Sequence, residues 1–366
     1  MIKTEVLFNF FKKKDIDFFT GVPDSVLKEF SHYLEIKKKK NHIIATNEGS
    51  AVSIAIGYYL ATKKLACVYM QNSGLSNAMN PIISIAHKKV YSIPMVLIIG
   101  WRGSPRLKDE PQHNVKGKIT EDLLKLLNIK YTILKTKKDL SKFDNQIKYA
   151  KKNNSIAACL IENEILEKKK LNIKKNFYNN LDKEYFLKNL LELTTNKVKI
   201  FSSTGYNSRE LMFVRNKYKL RTNNDFYMVG GMGHTTSVAF GYSIMKKNIV
   251  ICLDGDGSLL MHLGSIKTIA SFAKNNFKYI LLNNNSHDSV GGQNTFSNDV
   301  DFEQFSKSLG FKKFSLITSK KNLKQKIKNF LISRKPSFLE VKISNSKIDK
   351  LPRPKNLIKI KKEFMN

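Results

Sequence analysis

Acidic residues are scarce: 30 Asp and Glu stand against 64 Lys and Arg, a formal net charge of +34. A balance so basic is often the mark of a nucleic-acid or acidic-membrane binder. Here the excess is mostly Lys, spread through Lys37 to Lys40, Lys168 to Lys170 and the C-terminal tail, with little Arg and little aromatic interleaving. It reads as a solvated surface, so no nucleic-acid partner is expected. Cysteine is nearly absent. Cys67, Cys159 and Cys252 are odd in number, form no Cys-x-x-Cys and sit inside apolar strand-like runs. They are expected as small core hydrophobes in a reducing compartment. No run approaches 18 apolar residues, the first residues lack a signal-like apolar stretch, and there is no low-complexity repeat. A soluble, cytoplasmic protein without a membrane partner is expected.

What is present is enough for a core. The 366 residues are 42% hydrophobic, which suits two domains of ordinary size. The most informative stretch is 248–286. Two apolar runs of strand length, 249–253 and 279–282, flank a helical pattern of Leu259, Leu260, Leu263, Ile266, Ile269 and Phe272. The first run ends Asp254-Gly255-Asp256-Gly257-Ser258 and the second Asn283-Asn284-Asn285-Ser286. In a β-α-β unit both carboxyl ends open at one sheet edge, so Asp256 and Asn284 arrive side by side. A carboxylate and an amide oxygen are hard ligands suited to Mg²⁺, whose shell is usually completed by phosphates. Gly255, Gly257 and Ser258 add free N–H groups and a hydroxyl where a phosphate would lie.

Along the rest of the chain, strand and helix alternate. Residues 1–14 have helical spacing and precede the strand Phe18-Phe19-Thr20 and the turn Gly21-Val22-Pro23-Asp24-Ser25. Asp24 or Ser25 can cap the next helix, and capping alone would account for Asp24. A strand from His42 leads into a small-residue helix to Leu60, with Glu48 at the junction, where a helix amino end stabilises a carboxylate. A strand at 65–70 ends in Gln71-Asn72-Ser73-Gly74, a helix reaches Lys88, and a strand at 95–100 runs into an irregular polar segment, 101–113. Loops at strand carboxyl ends are where α/β sheets carry function, and this one holds Arg102, Arg106, Lys108, Gln112 and His113. A helix at 121–127, a strand at 131–134, a helix at 139–152 and a strand at 156–162 close a first domain, 1–168.

Residues 169–181 read as a Lys- and Asn-rich linker. The second domain, 182–366, opens with a helix at 182–194 and a strand at 197–202 that ends Ser203-Thr204-Gly205-Tyr206. The glycine-punctuated stretch 228–234 starts a helix to Met245; after the central unit come strands at 312–316 and 337–343 around a helix at 320–333, then an irregular arm from Asn345. The expected fold class is α/β: two domains, each an open, mainly parallel sheet with helices on both faces.

The strand, Gly-Asp-Gly-Ser, helix and Asn-Asn pattern resembles the thiamine diphosphate fingerprint of the decarboxylase and acetolactate synthase superfamily. Gly21 to Ser25, Asn47-Glu48-Gly49, Gly100 to Gly103, Lys108 to His113, Gly233-His234 and Asn284 followed by His287 to Gln293 are most similar to the phosphonopyruvate decarboxylase family, with sulfopyruvate decarboxylases as near relatives. Three departures from that pattern stand out: Asn285-Ser286 where Gly-Ala is usual, Asn294 where Pro is, and Gly231 where Ser is.

The resemblance implies two thiamine diphosphate-binding-fold domains, 1–168 for the pyrimidine and 182–366 for the diphosphate and Mg²⁺. It assigns Asp256, Asn284 and the Ser286 carbonyl to the metal, and Glu48 to activation of the cofactor at its aminopyrimidine. Gly230 would receive the pyrimidine amine, Met232 would bend the cofactor, and Thr204, Gly205, Tyr206, His234 and Ser258 would line the diphosphate. It implies a carboxy-lyase that turns 3-phosphonopyruvate into phosphonoacetaldehyde and CO₂ in phosphonate biosynthesis, acting as a homo-oligomer with sites shared between subunits.

The substrate is a multiply charged anion. Arg102, Arg106 and Lys108, with Ser25, are candidates for its anionic head, Arg being suited to bidentate contact, although each is also explicable as an ordinary exposed charge. Asp24, Gln112 and His113 are candidates for positioning it and relaying a proton, although His113 as a solvated loop residue stays open. Sulfopyruvate is the alternative substrate, and relatives acting on it often split the two domains into separate subunits. Another 2-oxo acid decarboxylase or carboligase of the superfamily is a further alternative. A nucleic-acid-binding protein on a degenerate scaffold is opposed by the intact Glu48, Asp256 and Asn284.

Overall fold

The structure, a computed structural model, describes residues 1–38, 40–168, 181–348 and 350–366. The polypeptide divides into two compact units, Met1–Ile173 and Lys174–Asn366. The linker expected over 169–181 lies, except for Leu181, outside the described residues.

Each unit is built on a six-stranded, wholly parallel sheet. In the first, β1 (Phe18–Gly21), β2 (His42–Ile44), β3 (Ala66–Gln71), β4 (Met95–Trp101), β5 (Lys130–Leu134) and β6 (Ile156–Glu162) stand in the order β2-β1-β3-β4-β6-β5. The central strands β3, β4 and β6 read as near-continuous apolar runs because both faces are covered. Successive side chains alternate between two cores: Cys67 and Tyr69 join one, Ala66, Val68 and Met70 the other. Cys67, Cys159 and Cys252 are buried and free, as their setting in apolar runs predicts.

The second unit repeats the plan. Strands β7 (Val198–Ser202), β8 (Asp225–Tyr227), β9 (Ile249–Gly255), β10 (Phe277–Asn283), β11 (Lys313–Ile317) and β12 (Ser337–Lys342) stand in the order β11-β12-β10-β9-β7-β8, all parallel. Ile251 and Leu253 face one core, Val250 and Cys252 the other. The expected α/β class with open parallel sheets is therefore what the chain forms. No helix among the described residues is long and apolar enough to cross a membrane.

Several local features differ from or add to the sequence reading. The irregular segment ends at Glu110, because Pro111 starts a helix, Pro111–Leu126, that puts Gln112 and His113 in its first turn. The connection between β9 and β10 is two short helices, Asp256–Met261 and Ser265–Phe272. The stretch between Tyr206 and Met228 holds a helix, Tyr206–Lys217, and β8, and a further helix spans Phe302–Leu309. The arm after Asn345 ends in a helix, Leu357–Met365, whose Phe364 is only 4% exposed.

That last helix is held by aromatic packing and one cation. The Phe364 ring lies 5.0 Å from Phe201, 5.6 Å from Phe226 and 5.5 Å from Tyr242. Buried Lys199 donates from Nζ to the Phe364 carbonyl at 2.6 Å and sits over the same ring. Phe364→Ala is expected to cost about 3–5 kcal/mol, read as a lower denaturant midpoint for the second unit, whereas exposed Ile358→Ala should leave that midpoint in place.

Candidate active site

All strands of a sheet run the same way, so the polar segments that follow them gather at one edge. In the first unit these are the turns after β1, β2, β3 and β4.

Glu48 opens the helix Glu48–Thr62, whose N-cap Asn47 accepts from Ser50 N at 2.8 Å. The carboxylate is 5% exposed and accepts from Asn77 Nδ2 at 2.8 Å. It lies over Gly74, where a Cβ would come 2.1 Å from Glu48 Oε1. Only glycine leaves space for this acid, and the small-residue run after Glu48 packs its Ala51 and Ala55 into the core.

Asp24, 1% exposed, takes Leu27 N at 3.2 Å and Gln71 Nε2 at 2.7 Å, so it does cap the following turn while also meeting β3. Burial raises its carboxyl above the ordinary value, against the hydrogen bond from Gln71 and the charge of Arg102. Gly100 supplies the room, since a Cβ there would lie 1.9 Å from Asp24 Oδ2.

Arg102 follows β4. Its Nε donates to Asp109 Oδ2 at 2.6 Å, its Nη2 to Asp109 Oδ1 and Glu110 Oε1, and its Nη1 to Ser25 Oγ at 3.1 Å. The fork joins the loop after β4 to Ser25 after β1. Burial opposes it, yet Arg102 holds the Asp109 carboxyl below its ordinary value. Arg106 stands apart, paired with Glu162 at 2.9 Å and stacked over Trp101, and Lys108 is exposed.

His113 joins the same cluster from the first helical turn, its ring within 4.8 Å of the Asp109 and Glu110 carboxylates. Burial, reinforced by the Arg102 charge, brings its pKa down to about 4, so it is neutral at pH 7. Gln112 donates from Nε2 to Glu110. Helix and loop touch main chain to main chain: a Cβ on Gly117 would lie 1.6 Å from the Gly103 carbonyl oxygen, and Trp101 Nε1 donates to Gly117 O at 2.9 Å.

In the second unit the edge is formed after β7, β8, β9 and β10. Thr204, Gly205 and Tyr206 lie half-buried between β7 and its helix, with Gly205 at φ +85° and Ser289 close by. After β8 the chain turns through Gly230, Gly231, Met232 and Gly233; Gly233 N donates to Ser258 Oγ at 3.1 Å, and the His234 ring stacks on His262 at 4.4 Å. Gly231 has φ +63°, a conformation that a Ser at this position would adopt only with strain.

The register of β9 and β10 pairs Gly255 with Leu282, which sets Asp256 and Gly257 beside Asn283 and Asn284. Asp256 is 3% exposed, Asn284 8% and Ser286 7%. Burial raises the Asp256 carboxyl above its ordinary value, against hydrogen bonds from Thr295 and Ser297. Asn284 Oδ1 accepts from Ser286 N at 3.1 Å, and Ser286 Oγ is buried without a protein partner. Asn285 has φ +55°, which explains why glycine suits this position and why Asn is the side chain that can replace it. A buried carboxylate beside an amide oxygen and an unsatisfied hydroxyl fits a hard divalent cation, and the glycine-lined turns around Ser258 fit a phosphate.

Several contributors escape a reading of the sequence. Asn77 holds Glu48, Gln71 holds Asp24, and Asn72 clamps the Arg102 backbone through N and O at 3.1 and 2.9 Å. Their signal was the polar run at the end of β3. Asp254, wholly buried, accepts from Thr236 Oγ1 and Tyr279 OH, both at 3.1 Å.

Comparison with known proteins fits this geometry. The description "Thiamine pyrophosphate enzyme, N-terminal TPP binding domain" matches residues 1–124, and "Thiamine pyrophosphate enzyme, C-terminal TPP binding domain" matches 203–341. The chain is 31% identical over 356 residues to a phosphonopyruvate decarboxylase of Streptomyces viridochromogenes, covering 92% of this chain and 87% of that one. It is 30% identical over 352 residues to the phosphonopyruvate decarboxylase of Streptomyces hygroscopicus, covering 92% and 86%. A sulfopyruvate decarboxylase of Methanosarcina acetivorans is 26% identical over 322 residues, covering 81% and 80%. Strand ends that gather these carboxylates and amides, on a chain related along nearly its whole length to such enzymes, make it a member of the phosphonopyruvate decarboxylase family of thiamine pyrophosphate enzymes.

Proposed function

We propose that the protein decarboxylates 3-phosphonopyruvate to phosphonoacetaldehyde and CO₂ with thiamine diphosphate and Mg²⁺. The observation that carries this reading is Asp256, a carboxylate 3% exposed, set by the β9–β10 register beside Asn284 on a chain 31% identical to a phosphonopyruvate decarboxylase. When bound, the cofactor supplies an electron sink for the charge left by departing CO₂, which no side chain can delocalise.

The residues have distinct tasks in this reading. Asp256 and Asn284 hold Mg²⁺ with the Ser286 carbonyl, while Thr204, Gly205, Tyr206, His234, Gly255, Gly257 and Ser258 surround the diphosphate. Gly230 and Met232 fix the orientation of the cofactor's rings. Glu48 would exchange a proton with the aminopyrimidine at its carboxyl, which Asn77 holds over Gly74. The first unit is the pyrimidine-type domain and the second the diphosphate-type domain, and in a homo-oligomer Glu48 of one subunit serves the Asp256 site of another. A cytoplasmic location suits three free, buried thiols.

Arg102 and Arg106 are each engaged by a carboxylate, Asp109 and Glu162; Arg102, which also touches Ser25 through Nη1, is the first choice for the phosphonate, and exposed Lys108 adds long-range attraction. Asp24 has its carboxyl raised by burial and is the candidate proton donor, with neutral His113 as acceptor and Gln112 as donor for positioning the substrate. Sulfopyruvate is the second reading, favoured by the 26% identical relative and by sulfopyruvate decarboxylase subunits that match part of the chain.

The test is CO₂ release from phosphonopyruvate, sulfopyruvate and pyruvate offered in parallel to pure protein with thiamine diphosphate and Mg²⁺; phosphonopyruvate should give the highest kcat/KM, and preference for another acid would overturn the assignment. Glu48→Gln is expected to lower kcat roughly 100- to 10,000-fold with cofactor binding retained. Arg102→Ala should raise KM for phosphonopyruvate about 10- to 100-fold, and Arg102→Lys should recover little of it, since the planar fork is lost.

A further inference from the structure

The cation-binding reading names Asp256, Asn284 and Ser286, but it leaves open what keeps a buried carboxylate pointed at a cation. The chain answers this by folding back. After Ser286 it makes a closed excursion and returns beside itself: Ser286 and Asn294 form an antiparallel bridge, and His287 N donates to Gln293 O at 2.8 Å. The return arm then runs past the end of β9 with two hydroxyls. Thr295 is 7% exposed and Ser297 wholly buried.

Thr295 Oγ1 donates to Asp256 Oδ2 at 2.5 Å. Ser297 Oγ lies 3.0 Å from the same oxygen, 2.7 Å from Asn283 Oδ1 and 3.2 Å from Asn285 Oδ1. One hydroxyl thus lies between the carboxylate after β9 and the amide oxygens at the end of β10, with a single proton to donate to one of them at a time. Asn283 is itself fixed, donating from Nδ2 to Glu340 Oε1 on β12 at 2.9 Å. Such contacts orient a ligand by occupying one of its oxygens and leaving its other lone pairs for a cation.

Resting on the cation site proposed above, we infer that Thr295 and Ser297 are positioning residues for that site: their hydroxyls lock Asp256 against Asn283 and so fix the spacing between the ligands from β9 and β10. Neither residue is among the proposed cation ligands. A purely structural role would be satisfied by any side chain of the right volume, whereas positioning requires the hydroxyl.

Thr295→Val and Ser297→Ala remove the hydroxyls, and Thr295→Ser and Ser297→Thr keep them. With the full chain and saturating thiamine diphosphate, the quench of intrinsic fluorescence on cofactor binding is titrated with Mg²⁺ and repeated with Mn²⁺ by electron paramagnetic resonance. Half-saturation is expected to rise about 10- to 100-fold for Thr295→Val and Ser297→Ala and to stay near the wild-type value for the hydroxyl-retaining pair. Wild-type half-saturation in Thr295→Val and Ser297→Ala, or equal weakening in all four variants, would overturn the inference. Asp256→Ala serves as the reference: if it too binds Mg²⁺ normally, the cation site itself is misassigned and the positioning role is refuted with it, a result distinct from failure of the hydroxyl variants alone.

Discussion

A carboxylate removed from water has to be met by donors, and the chemistry at these strand ends depends on that requirement being satisfied. Glu48, Asp24 and Asp256 are 5%, 1% and 3% exposed. Each is received differently: Glu48 by Asn77 and an absent side chain at Gly74, Asp24 by Gln71 and the backbone of Leu27, Asp256 by the hydroxyls of Thr295 and Ser297. No Lys or Arg pairs directly with any of the three among the described ion pairs, in a chain with 64 of them. Neutral donors leave an acid able to exchange its proton or accept a cation, whereas a direct ion pair would hold it as a spectator. The basic surplus lies elsewhere, as exposed charge.

Two parallel sheets make this possible with little sequence. A parallel strand needs only an apolar run, and every turn leaving its carboxyl end lands on the same edge. The register of β9 against β10 then puts residues far apart in the chain within a few ångströms of one another.

Much of this was legible beforehand. The apolar runs at 249–253 and 279–282 are strands because their faces alternate into two cores, and Gly255 to Ser258 open a helix because glycine and a small hydroxyl tolerate that turn. Glu48 at its helix start was readable from the strand before it. Other features were hidden by local ambiguity. Gly117 breaks the helical look of 111–120, yet it is required there because the Gly103 carbonyl occupies the position of a Cβ. The Lys-rich tail masked the short apolar stripe of Leu357, Ile360 and Phe364. Asn77, Gln71 and Ser297 were invisible for another reason: their partners are distant in sequence, and nothing in a polar residue's own neighbourhood announces which carboxylate it will meet.

The backbone contact between Gly103 and Gly117 has a mechanical meaning. Main chain pressed on main chain leaves no side chain to yield, so the segment bearing Arg102 and the turn bearing Gln112 and His113 are packed as one body. In the proposed reading, the guanidinium and the imidazole therefore meet the anion at a spacing fixed by backbone alone.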